Sequence, residues 1–201
     1  VVASGIVGRY FSPYDLSDLH SHANGAGFAK VDAALVAAGL PGLDTITGGG
    51  GFEESMSIDS AAFEDLCAET LPSLPVTPMP RPTGGIDSTF ACDYADILLP
   101  VAFTGLLPVP EVYDNGLLTI ASANELRAQC QALATVIGLD MSTIPELQPE
   151  GYRFDDWYDT LEYSEDPSAP IAQREPEAAF YVGLFSAIAD YSIRYNAAVR
   201  L

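Results

Sequence analysis

Positive charge is scarce in this chain. Its 201 residues hold eight Lys and Arg against 28 Asp and Glu, a formal net charge of −20. Lys30 is its only lysine. The shortage excludes classes of partner. Phosphate backbones and anionic lipid surfaces are repelled, whereas a basic protein is drawn in. We therefore expect no nucleic acid and no membrane among its partners.

Cysteine is sparse as well. Cys67, Cys92 and Cys130 make an odd count, and no C-x-x-C pair is present. That spacing gives no support to a zinc ribbon or a thioredoxin-like site. Cys67 and Cys130 fall on apolar faces of predicted helices. They read as buried reduced thiols, which points to a cytoplasmic protein. No apolar run approaches the roughly 20 residues needed to cross a bilayer. Val1–Gly5 show neither an initiator methionine nor a signal peptide.

What the chain does have is material for a core. It is 48% hydrophobic, far too apolar for a disordered acidic tail. A chain this size buries about 70% of its unfolded surface. The acidity therefore sits on the outside of a folded body. Charged residues make up 18% of the chain, below the ordinary level of about 25%. We read the low lysine count as coding bias toward arginine rather than as salt adaptation.

Periodicity predicts an α+β fold, mostly helical, with one domain over residues 1–201 and a small antiparallel β element at 95–121. Ser12 is placed to cap a first helix, with Pro13 at its first position and Asp15 completing the capping spacing. A second helix spans Phe28 to Ala38 and stops at Gly39, with Pro41 beyond. A third starts at Asp59-Ser60 and places Phe63, Leu66, Cys67 and Leu71 on one side. Ser122 caps a fourth, with Leu126, Cys130, Leu133, Val136 and Ile137 as its stripe and Gly138 as its stop. The last runs from Pro176 to about Ala198. It is apolar on more than one side, which predicts a central position.

Between the third and fourth helices the pattern changes. Residues 72–85 contain five prolines in fourteen positions, which favours an extended strap and offers the best internal division. Residues 97–103 read as a strand that Pro100 demotes to an edge or a bulge. Asp114-Asn115-Gly116 reads as a turn, with residues 117–120 returning.

The acids crowd toward the last third. Residues 140–177 carry eleven acids and two arginines. Drawn as a helix, Phe154, Trp157, Tyr158 and Leu161 form an inner stripe, while Asp155, Asp159, Glu162 and Asp166 form one outer ridge if the helix reaches Asp166. Like charges four residues apart destabilise a helix by about 0.2–0.5 kcal/mol each. Selection for stability alone would intersperse lysines there. We expect Asp155, Asp156, Trp157, Tyr158, Asp159, Glu162 and Asp166 to meet a partner, with Trp157 or Tyr158 as the anchor if exposed. The same run also fits a solvated surface that aids solubility. The expected function is an acidic, non-enzymatic binding protein. It would inhibit, neutralise or chaperone a basic protein partner, in the manner of an immunity protein, through steering that weakens with salt.

Two other classes compete. A small hydrolase would use the paired acids or a metal. Adjacent exposed acids repel one another equally, however, and nothing in the pattern separates an acid from a base. His20-Ser21-His22 has an H-x-H spacing, but the chain has no further histidine. Its place near a helix end suits a histidine for dipole reasons alone. Gly48–Gly51 lacks a phosphate-loop ending and is followed by Glu53-Glu54. No G-x-S-x-G occurs. We therefore assign no catalytic residue, no metal site and no cofactor. The third class is a structural subunit of a larger assembly, in which helix 176–198 packs on a copy of itself, to give a homo-oligomer, or on another chain.

Overall fold

Ile97–Leu99 (β3) is apolar at every position, and all three side chains are buried. A strand of that kind needs cover on both faces. The computed structural model describes residues 10–47, 54–55, 58–74, 95–113, 116–147 and 154–201, and it supplies that cover. Ile97 and Leu99 join an apolar cluster with Val31 and Leu35 of helix α1 (Gly27–Ala37). Leu98 faces the other way. It joins the cluster built by α2 (Ala61–Thr70), α3 (Ala123–Ile137) and α6 (Pro176–Tyr195). The arrangement is a sheet between two helical layers, an α+β fold.

The sheet is mixed. Its order is β2 (Glu54–Ser55), β1 (Tyr10–Pro13), β6 (Val199–Arg200), β3, β5 (Gly116–Ser122), β4 (Leu107–Tyr113). β3 and β5 are parallel, with Ile97 opposite Ile120, and the other pairs are antiparallel. The β element is thus larger than the antiparallel piece expected at 95–121. It recruits β1, β2 and β6, which have too few residues to show an alternating pattern in sequence.

Other expectations also change. Ser12 does not cap a helix, because it lies in β1 opposite Arg200. Asp15 takes the capping role. Its Oδ1 accepts from the Ser17 amide at 2.8 Å and opens a 3-10 turn, Leu16–Ser21. Pro100 marks neither an edge nor a bulge. β3 is an interior strand that stops one residue before it. The edge is β4, where Pro108 and Pro110 are exposed. An edge strand tolerates the missing N–H. Val109 and Val112 are both buried although three residues apart. Glu111, at φ 59°, absorbs the extra residue as a bulge with a register shift. Lys30 Nζ donates to both the carbonyl and the carboxylate of Glu111, each at 3.0 Å.

The long helices match their signals more closely. Gly39 at φ 75° follows α1, and Gly138 at φ 73° ends α3. Ser122 Oγ accepts from the Glu125 amide at 3.3 Å. Val136, expected in the stripe, is exposed, and Ala134 and Gln129 are buried instead. α6 is the central helix, buried from Ala178 to Ala189 and again at Tyr191 and Ser192. The chain itself therefore covers α6 over that length, while Arg194 and Tyr195 near its end are exposed. Asn196 ends α6 in the left-handed region, at φ 49°.

One core spans both sides of the proline-rich stretch, since Phe63 and Leu66 share a cluster with α3 and α6. The strap beyond residue 74, Gly48–Gly51, Cys92 and Asp114-Asn115 lie outside the described residues. No helix among the described residues is long and apolar enough to cross a membrane.

Candidate functional site

The acidic segment does not form the ridge expected of it. Helix α4 covers only Phe154–Tyr158. The Thr160 hydroxyl and amide both donate to the Trp157 carbonyl, at 2.7 and 2.9 Å, and the Leu161 amide donates to Tyr158. Those bonds close the helix after one turn. Carboxylates spaced four apart with no lysine between them oppose a longer one. The Ser164-Glu165-Asp166-Pro167 chemistry favours turns in its place. Asp166 Oδ1 accepts from the amide and hydroxyl of Ser168, each at 2.8 Å, and these bonds hold its pKa below the ordinary value.

Trp157 is core, only 4% exposed. Its ring lies 5.5 Å from that of Phe154 and 6.5 Å from that of Phe180. The exposure on which an anchoring role for Trp157 was made to depend is therefore not met. Tyr158 is half-buried, and its hydroxyl donates to Glu177 Oε1 at 3.1 Å. Burial first, then the Glu177 carboxylate, raises its pKa. The Asp155 side chain lies outside the described ones. Asp156, Asp159, Glu162 and Asp166 are exposed, and so is Glu165.

The segment is tied to its surroundings. The Ser164 amide donates to the Gln173 carbonyl at 2.9 Å, and Gln173 Nε2 donates to Glu162 Oε2 at 3.0 Å. Gln173 belongs to the short helix α5 (Ile171–Arg174). Between Glu162 and Glu165 stands Tyr163, 67% exposed. Sequence reasoning missed this residue. The available signal was an aromatic lying among acids and outside the inner stripe. The ion pairs among the described residues fall on Glu111, Asp190 and Glu146, not on this segment.

The histidines give no second centre. His20 is exposed and stacks on Phe28, ring centroids 4.7 Å apart. No group of three or more His, Cys, Asp or Glu among the described residues is placed to hold a metal ion. Cys67 and Cys130 are buried thiols, and burial pushes the Cys130 pKa far up.

A cleft of about 250 Å³ lies elsewhere, between α3, the C-terminal half of α6 and residues 141–147. Asp140 shapes its wall by accepting from the Ser142 amide at 2.9 Å, which opens the 3-10 turn Met141–Thr143. Both terminal nitrogens of Arg194 donate to Glu146, Nη2 at 2.9 Å and Nη1 at closer range. Arg127 Nε sits 2.9 Å from Asp190 Oδ1. Tyr191 and Tyr195 stand side by side, with ring centroids 4.7 Å apart. Two of the eight cations thus converge on one cleft. Arg127 and Arg194 are far apart in sequence, so no local motif announces it.

No protein family matches the chain, nor does any curated protein or solved structure.

Proposed function

We propose that this protein binds a basic protein partner without catalysing a reaction, and that residues 156–166 are the docking segment. One observation carries the reading. Five exposed acids flank an exposed tyrosine on a segment that contains no cation and is held in place by Gln173. Tyr163 takes the anchoring role that Trp157 cannot fill, since exposed aromatics supply binding energy at interface centres. The acids supply steering, which raises association rates and fades as salt screens it. A loop tied to α5 loses less freedom on binding than a loose one. Inhibition, neutralisation and chaperoning of a basic client are the roles consistent with such a surface.

Affinity capture from native lysate at low and high salt tests this. Wild-type protein is expected to retain a basic protein that raised salt releases. The triple variant Asp156→Asn, Asp159→Asn, Glu162→Asn should lose it, as should Tyr163→Ala. Capture unchanged in the triple variant at low salt rejects the proposal.

A further inference from the structure

We propose that the cleft between α3 and α6 binds a free α-amino acid with an apolar side chain. Its size sets the scale. At about 250 Å³ it falls below the roughly 300–1,000 Å³ of pockets for drug-sized ligands.

Electrostatics select the class. Arg127, Arg194, Asp190 and Glu146 sum to zero at this one place on a chain of net −20. A simple anion must approach against the field of the whole molecule. A simple cation is drawn to every acidic surface, and nothing singles out this cleft. A zwitterion carries no net charge. It requires a donor and an acceptor side by side.

The Arg127–Asp190 pair offers both. Its contact runs through Nε and Oδ1. Both side chains are about half exposed, so the pair can present a donor and an acceptor to a ligand. The ligand carboxylate accepts from Arg127 Nη in a charge-assisted bond, and the ammonium donates to Asp190 Oδ2. The Arg194–Glu146 pair is different. Both guanidinium Nη atoms already meet both carboxylate oxygens. That pair pins residues 141–147 to α6 as a wall. Met141, Ile144 and Tyr191 provide apolar surface for the side chain. The site lies toward the C-terminal end of α6, away from Glu177 and the acidic segment, and is independent of the docking proposal.

Titration calorimetry on the full chain tests this with four probes: L-leucine, 4-methylpentanoate, 3-methylbutylamine and glycine. Leucine is expected to bind. Loss of either charged group should weaken binding by about tenfold or more, the scale of one charge-assisted hydrogen bond, and loss of the side chain by about tenfold or more through lost apolar burial. Arg127→Gln and Asp190→Asn should each abolish the leucine signal while the protein stays folded by circular dichroism. Should those variants fail to fold, amide shifts on adding leucine to the wild type decide the matter, with changes expected around residues 127–131 and 186–195. Absence of leucine binding at millimolar concentration overturns the inference. So does equal binding of the amine, unchanged binding in folded variants, or shifts confined to other parts of the chain.

Discussion

The indole of Trp157 occupies the space that a side chain at Gly183 would need. A glycine inside a helix costs about 0.5–1 kcal/mol relative to alanine. α6 carries one at its centre because the ring packs directly on its backbone. Gly183→Ala should therefore destabilise the protein by about 1–3 kcal/mol in urea unfolding, from overpacking, despite alanine's better helix propensity. Trp157→Ala should cost about 3–5 kcal/mol. A stabilised Gly183→Ala variant would mean that the ring sits elsewhere.

Glu111 holds a left-handed backbone inside a strand. Strand propensity alone predicts that valine there would be an improvement. The bulge predicts the reverse. Glu111→Val should lose stability, because a β-branched side chain fits that conformation worse than the glutamate it replaces. Glu111→Gly should relieve the strain the glutamate carries, by up to about 1–2 kcal/mol. The Lys30–Glu111 ion pair adds little, because the Glu111 side chain is 84% exposed. Chemical denaturation of the two variants separates these outcomes.

The wall of the cleft should respond to acid. The Arg194 guanidinium holds Glu146 below its ordinary value of 4.5, and the Ser142 hydroxyl and amide lower Asp140. Both folded values are depressed. Their stabilisation is complete above the ordinary carboxylate values and is lost as pH falls through the folded ones. Carboxyl-carbon NMR titration should show a Glu146 midpoint below 4.5 that returns to the ordinary value in Arg194→Gln. A wild-type midpoint at or above 4.5 contradicts the pairing.

The two described thiols should be silent in the native state. Cys67 and Cys130 are buried, and Cys130 is strongly disfavoured as a thiolate. Mass spectrometry after alkylation is expected to find both unmodified until denaturant opens the fold. Fast labelling of Cys130 in native protein would show that α3 and α6 separate easily.

Much of the fold was legible because the helices carry strong local punctuation. Ser122 and Gly138 bracket α3, and Gly39 follows α1, as their residue types require. The continuous apolar pattern of α6 announced its central place. The sheet was harder to read. β1 and β6 are short, and their pairing joins Ser12 to Arg200 across nearly the whole chain. Pro100 was read as a mark of the edge, whereas the edge prolines are Pro108 and Pro110. At the candidate site the composition was visible but not the shape. The inner stripe correctly put Trp157 inward, and for that reason it cannot be the anchor. Tyr163 stood outside the stripe and was passed over. The cleft arginines come together only in the folded chain.

β6 sets the order in which this protein can be completed. It follows α6, yet among the described residues it is the strand that links β1 to β3. Until those two residues leave the ribosome, the sheet exists as separate parts with no shared hydrogen bonds. Synthesis therefore runs ahead of assembly. The edge of β3 that pairs with β6 waits until Val199 and Arg200 are made, an interval in which it is open to trapping by other unfolded chains.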